Sequence, residues 1–351
     1  MIEIEPIIKQ IKKNVRRKNF NPNLPARVWS EKDRVLGEVG KSFVVVLRTG
    51  GCSWSKKSGC SMCGYFNDSL NRDVKANEVL TQMRHALSLY SNEDCIKIFT
   101  SGSFLDEEEV PFDAQLKVME MLSQRKDLKV ISVESRPEFI SKEKLRKLRE
   151  AVGDKILEVS IGLESANEKI LKYCINKGLK FEDYKRAARI LRKEKVRTKT
   201  YILLKPPFLK EIEAIKDCVE TAKKIKELTD VISLNPVAVH RNTLVEYLWK
   251  RKEYRPPWLW SVIETIREIK KLGNVEIKCD VTGKGSRRGA HNCKKCSNKI
   301  LDIIKEFSLK QDLGVFEGAQ CDCKYLWEDL LDLEMYSYGE LVACYERDSE
   351  R

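Results

Sequence analysis

The sequence predicts an α/β protein built on a parallel sheet, and three observations carry that prediction. Six short β-branched or aromatic runs recur between about residues 43 and 240. Helix-periodic stretches alternate with them, and each run ends in a polar or Gly-containing turn that holds the unusual residues. Alternating strand and helix units mean parallel pairing. Parallel α/β sheets and barrels gather their sites where strands end.

In order, the runs are FVVVLRTGG (43–51), IKIFTSGS (96–103), KVISVESRP (129–137), LEVSIGLES (157–165), TKTYILLKPP (198–207) and DVISLNPVAV (230–239). They read as buried strands. Between them NEVLTQMRHALSLY, DAQLKVMEMLSQR, SKEKLRKLREAV, DYKRAARILRKEK and EAIKDCVETAKKIKEL have helical periodicity, several with Ser, Asp or Asn at the start. Six units in succession suit a partial (β/α)6 barrel better than a doubly wound sheet. Residues 1–40 are expected to be a basic, loop-like flank. Residues 41–240 form the barrel, and 241–351 a C-terminal extension with a further helix, SVIETIREIKKL, and one more strand at VEIKC.

A 351-residue chain of 42% hydrophobic composition can bury a large core. No apolar run reaches the roughly 20 residues a membrane helix needs. The N-terminus alternates charge with aliphatics and lacks the apolar core of a signal peptide, so a cytoplasmic protein is expected. Sixty-six basic residues against 53 acidic, formally +13, favour a polyanionic partner such as RNA. The same Lys- and Glu-rich composition also suits a thermophile's surface. Basic stretches at Lys12 to Lys18 and Arg241 to Arg255, the second interleaved with Tyr247, Trp249 and Tyr254, are candidate RNA contacts.

Twelve cysteines in a cytoplasmic chain argue for metal sites where they cluster. Cys95, Cys174, Cys218, Cys279 and Cys344 stand alone and read as small buried hydrophobes. Cys52, Cys60 and Cys63, spaced C-x7-C-x2-C after the first run, are three thiols where a closed metal site takes four. Three cysteine ligands hold three irons of a [4Fe–4S] cluster and leave the fourth open to an external chelator.

The cysteine loop, FTSGSFLD (99–106), ESRPEFI (134–140), IGLESANEKIL (161–171), LLKPPF (203–208) and the C-terminal RGAHNCKKC and CDCKYLW resemble the radical S-adenosylmethionine (SAM) enzymes. The likeness runs over nearly the whole chain and points to the branch that completes archaeosine in archaeal tRNA, whose barrel is related to the Elp3 and methylthiotransferase groups. The commonest spacing in the superfamily is C-x3-C-x2-C, so the wide first gap is a departure. Resemblance implies a partial TIM-like barrel holding a [4Fe–4S] cluster and SAM. It places Ser101, Gly102 and Ser103 at the methionyl amino group, and Glu134 and Arg136 at the ribose and carboxylate. It also places Glu164 and Ser165 at the ribose or substrate. Lys205 and His240 are candidates for substrate binding or acid/base work, although a structural role is the plainer reading of His240.

Cys293-x2-Cys296 and Cys321-x-Cys323 form a second group of four thiols, which suits zinc or a second iron–sulfur cluster. The short C-x-C pair and the resemblance favour zinc, and His291 is an alternative ligand. The implied reaction is cleavage of the C–N bond of a lysine-modified 7-deazaguanine at tRNA position 15, a lyase step. The implied partners are tRNA, the lysine-transferring archaeosine synthase protein and an electron donor. The alternatives are an Elp3-like or methylthiotransferase-like tRNA-modifying enzyme, or a non-catalytic iron–sulfur RNA-binding protein.

Overall fold

The computed structural model describes residues 3–13, 15, 18–283 and 285–336. Cys344 and the basic residues Arg16 and Arg17 lie outside the described residues. The chain runs α1 (Glu5–Lys13), β1 (Arg27–Val35), β2 (Glu38–Val46), α2 (Ser53–Lys57), α3 (Ala76–Leu87), β3 (Cys95–Phe99), α4 (Phe112–Ser123), β4 (Val130–Ser135) and α5 (Lys142–Val152). It continues with β5 (Ile156–Glu164), α6 (Phe181–Lys193), β6 (Arg197–Leu204), α7 (Glu211–Ile225), β7 (Val231–Pro236), α8 (Leu244–Lys250), α9 (Leu259–Lys271), β8 (Glu276–Lys278), α10 (Ser297–Lys310) and α11 (Cys323–Tyr336).

The six runs are β2 to β7, in sequential order and parallel throughout. VEIKC supplies β8, also parallel. The unforeseen strand is β1, which pairs antiparallel with β2 across the Leu36–Gly37 turn, where both residues have positive φ. Its sequence, RVWSEKDRV, is too charged to stand out as a strand. The resulting hairpin crosses residue 40, where the basic flank was expected to end.

Aliphatic side chains from β2 to β7 and the covering helices form one continuous core, with Ile96, Ile98, Ile131, Val159, Ile161, Leu204 and Leu234 fully enclosed. Truncating a residue of this kind to Ala costs about 2–5 kcal/mol. Local signals fix the helix ends: the Ser141 hydroxyl accepts the Lys144 N–H at the start of α5, and Thr243 accepts the Glu246 N–H at the start of α8.

Charged residues inside the strands pair across the sheet. Lys97 on β3 lies 2.9 Å from both Glu31 and Asp33 of β1, and Lys278 on β8 is 2.9 Å from Asp33. Ion pairs therefore join the two edge strands, which share no backbone ladder. Across the interior, Glu158 of β5 takes Lys199 at 2.5 Å and Arg197 at 3.1 Å, both from β6. Burial pushes Asp33 upward, but Lys97 and Lys278 outweigh it and hold the carboxyl well below the usual range. Burial likewise opposes the shift at Glu158, which Lys199 and Lys278 bring down to about 2. This polar layer plugs the half-barrel below the strand ends.

Candidate active site

The cysteine loop follows β2 directly, and its wide spacing has a structural cause. α2 fills the seven-residue gap between Cys52 and Cys60. Its Trp54 indole donates to the Asn176 carbonyl at 2.9 Å, and its ring occupies the space that a side chain at Gly178 would need. Ser61 docks on the same segment, its N–H donating to Ile175 O and its hydroxyl to Cys174 O. From the other side α1 reaches in: the Lys12 ammonium donates to Ser55 and Ser58 and stands over the Phe66 ring. Lys12, expected as an RNA contact, thus holds the loop.

Enclosure raises all three thiols. Burial and then Glu109 push Cys52 to about 11, and burial and then Cys60 push Cys63 to about 12. Burial also raises Cys60, against the opposing pull of Lys177 and Arg136. Among the described residues, only the C-terminal quartet brings its sulfurs within 4.8 Å of one another, so the trio is more widely set. Three half-buried sulfurs, spread apart and with the charges of Lys177 and Arg136 acting on them, fit an anionic polynuclear cluster.

The loop after β3 is locked by Glu109. That carboxylate accepts the Thr49 hydroxyl at 2.6 Å and the N–H groups of Ser101 at 3.0 Å and Ser103 at 2.6 Å. Burial raises Glu109 to about 6. Gly102 packs so closely on Cys52 that a Cβ there would sit 2.5 Å from Cys52 Cβ. The amide hydrogens of Ser101, Gly102 and Ser103 are thus all engaged within the loop's own surroundings.

Glu134, next to last in β4, accepts the Thr100 N–H at 2.7 Å; burial raises it to about 8. Arg136 has less freedom than expected. Its Nε pairs with Glu138, its Nη2 donates to Lys177 O at 3.1 Å, and its guanidinium stands 5.6 Å from the Trp54 ring centre. It braces the loop and sets a cation beside Cys60 and Cys52.

Glu164 is aimed by an irregularity. The β5–β6 register shifts between Gly162 and Glu164, and Glu164 takes φ 73°, a left-handed value uncommon for a side-chain-bearing residue. Its carboxylate meets the Lys177 ammonium at 2.7 Å, in space that a side chain at Gly162 would invade. Ser165, one residue on, is fully buried; it donates to Asp217 at 2.8 Å and accepts the Asn167 N–H, so its hydroxyl is committed away from the mouth. Lys205, at φ 63°, pairs with Glu211 at 2.5 Å, and its carbonyl accepts the Tyr254 hydroxyl. His240 lies beside the cysteine loop, edge-on to Tyr65 at 5.3 Å; burial and then Arg288 lower its pKa and keep it neutral.

Lys177, Glu109, Trp54 and Tyr65 join the site unpredicted. The acidic run DEEEV and the Asn-Lys-Gly turn in YCINKG were the signals available. Of the three rings expected to meet RNA, Tyr247 is exposed, Trp249 lies under Arg288 and Tyr254 is buried.

At the C-terminus, Cys293, Cys296, Cys321 and Cys323 converge, with 3.6 Å between the sulfurs of 293 and 296, 293 and 321, and 296 and 323. A single tetrahedral ion with bonds of about 2.3 Å separates its sulfurs by about 3.8 Å. The Trp260 indole donates to Cys323 Sγ at 3.4 Å. His291 instead bonds Gly289 O through Nδ1. The lone Cys95, Cys174, Cys218 and Cys279 are buried, as expected.

Residues 46–219 match the Radical SAM superfamily. The chain is 36% identical to the archaeosine synthase subunit beta of Methanosarcina acetivorans over 341 residues, covering 96% of this chain and 99% of that one. To the archaeosine synthase subunit beta of Thermococcus kodakarensis it is 36% identical over 310 residues, covering 87% and 96%. Three half-buried cysteines at the mouth of a parallel half-barrel, with identity running almost end to end, place this chain in the archaeosine synthase subunit beta family of radical SAM enzymes.

Proposed function

We propose that the chain completes archaeosine in tRNA by cleaving the C–N bond of a lysine-modified 7-deazaguanine at position 15, working with the lysine-transferring subunit and an electron donor. The observation that carries this is the near-complete alignment with archaeosine synthase beta subunits. The mouth geometry supports it. Cys52, Cys60 and Cys63 would hold the [4Fe–4S] cluster, whose chemistry with SAM is reductive cleavage of a sulfonium and hydrogen abstraction.

The chain's own residues do the positioning. The carbonyls of Ser101 and Gly102 take the methionyl ammonium, and the Glu134 carboxyl takes a ribose hydroxyl. Lys177 and Glu164, salt-bridged 2.7 Å apart in the wall, present one charge of each sign to the zwitterionic end of the lysine. Lys205 and His240 are already engaged with Glu211 and Tyr65, so neither is assigned the proton chemistry.

The C-terminal quartet binds one zinc ion. Its 3.6 Å sulfur spacing suits a single tetrahedral metal, whereas a cubane carries each sulfur on a different iron. Around it, Asn292 accepts the Leu259 N–H and His291 O accepts the Arg255 guanidinium, while Glu211 accepts the Trp258 N–H. The knuckle thereby clamps residues 255–259 between itself and the Lys205–Glu211 pair at the end of β6.

The test is anaerobic incubation of reconstituted protein, reductant and SAM with lysine-modified tRNA, followed by nucleoside mass spectrometry. Archaeosine should appear together with 5′-deoxyadenosine. Deoxyadenosine from a protein with Cys52, Cys60 and Cys63 all changed to Ala, or unaltered nucleoside with active native protein, overturns the reading.

A further inference from the structure

Tyr65 stands out at the mouth. It opens a short 3-10 turn whose next residue, Phe66, is anchored in the interior, so successive rings point to opposite sides. Burial and then the neighbouring Cys63 raise the Tyr65 phenol. Yet 54% of the residue remains open. A large ring two residues from Cys63 that keeps about half its surface open is available to a ligand at the cysteine loop.

The ring is also held rigidly. His240 packs edge-on against it at 5.3 Å. Two hydrogen bonds lock the loops that carry the two residues: Asn67 Nδ2 to Arg241 O at 2.9 Å and Asn242 Nδ2 to Asn67 Oδ1 at 2.7 Å. Gly64 lets them approach, since a Cβ there would lie 2.5 Å from His240 Cβ. The Arg241 side chain on the same junction is exposed. A fixed, half-open ring over a reactive site, with an exposed cation at its rim, has the features of a stacking platform for an extruded nucleobase.

Building on the tRNA reading above, we propose that Tyr65 is the platform on which the modified 7-deazaguanine stacks, and that Arg241 receives a phosphate of the same strand. The base must leave the folded tRNA core to reach the cysteines, and stacking on Tyr65 replaces part of the stacking it loses. His240 acts as a positioning residue that sets the plane of the ring.

The two roles differ in salt dependence. Reconstituted native protein and its variants are titrated with tRNA bearing lysine-modified 7-deazaguanine at position 15, and with the same tRNA bearing guanine, across a range of salt. Tyr65→Leu should weaken binding of the modified tRNA by roughly 5- to 150-fold, with an unchanged salt slope and unchanged binding of SAM. Tyr65→Phe, which keeps the ring, should bind like the native protein and guards against misfolding as the cause. Arg241→Ala should weaken both tRNAs equally and reduce the salt slope by about 1. Native-like binding by Tyr65→Leu, or loss of SAM binding in its place, overturns the platform while leaving the tRNA reading intact. Native protein that turns over neither tRNA overturns both.

Discussion

Adding one methyl group at Gly102 should remove the iron from this protein. A Cβ there lies 2.5 Å from Cys52 Cβ, 2.7 Å from Cys52 Cα and 2.7 Å from Glu109 Oε2. Carbon atoms pack at about 3.5–4.0 Å, so the loop after β3 and the cysteine loop must part by roughly 1 Å. Neither yields easily. Glu109 is held by Thr49, Ser101 and Ser103, and the cysteine loop is pinned through Trp54 and Ser61. Overpacking of this kind costs about 1–3 kcal/mol, or roughly 1–4 °C in Tm for a chain of this size. The displacement falls on Cys52, the proposed cluster ligand, so Gly102→Ala should retain well under half the native iron after anaerobic reconstitution. Gly153→Ala is the control. Its φ of 64° carries a strain cost, but the added Cβ meets only Ser123 Cβ at 3.8 Å, so that variant should lose stability and keep its iron. A Gly102→Ala protein with native iron content, melting within about 1 °C of the native protein, would refute the close-packing argument.

Two further predictions concern the C-terminus and pH. Cys296→Ser should release one zinc per chain, lower the thermal midpoint and loosen residues 255–259 in hydrogen exchange, without changing iron at the mouth; loss of iron in place of zinc would identify the quartet as a second cluster. Asp217 is raised to about 7 by burial, and its Oδ2 has no hydrogen-bond partner, so its folded pKa lies above the unfolded value of 3.8. Its contribution to stability is therefore full below pH 4 and is lost as pH rises through 7, by at most about 4 kcal/mol. Asp217→Asn should flatten that part of the urea-unfolding profile between pH 5 and 8, and a native-minus-variant difference that stays constant over the range would show that the carboxyl does not titrate there.

The parallel order β2 to β7, the three open cysteines and the four that converge were legible in the sequence, because each depends on local pattern. Aliphatic runs make strands wherever they occur, and C-x2-C or C-x-C pairs bring sulfurs together over one turn. Only the tertiary structure decided what closes the barrel and what completes the site. Glu31 and Asp33 on β1, Lys97, Glu158, Lys199 and Lys278 interrupt hydrophobic runs and look like defects one at a time; their meaning lies in ion pairs between residues up to 245 positions apart, from Asp33 to Lys278. Ser165 looked equivalent to Glu164, but a register shift turns one side chain into the mouth and leaves the other bonded to Asp217. Lys177 and Tyr65 carry no motif. They reach the site because a half-barrel brings the loop after β2 against the segment after β5, a juxtaposition that side-chain packing sets and local sequence does not encode.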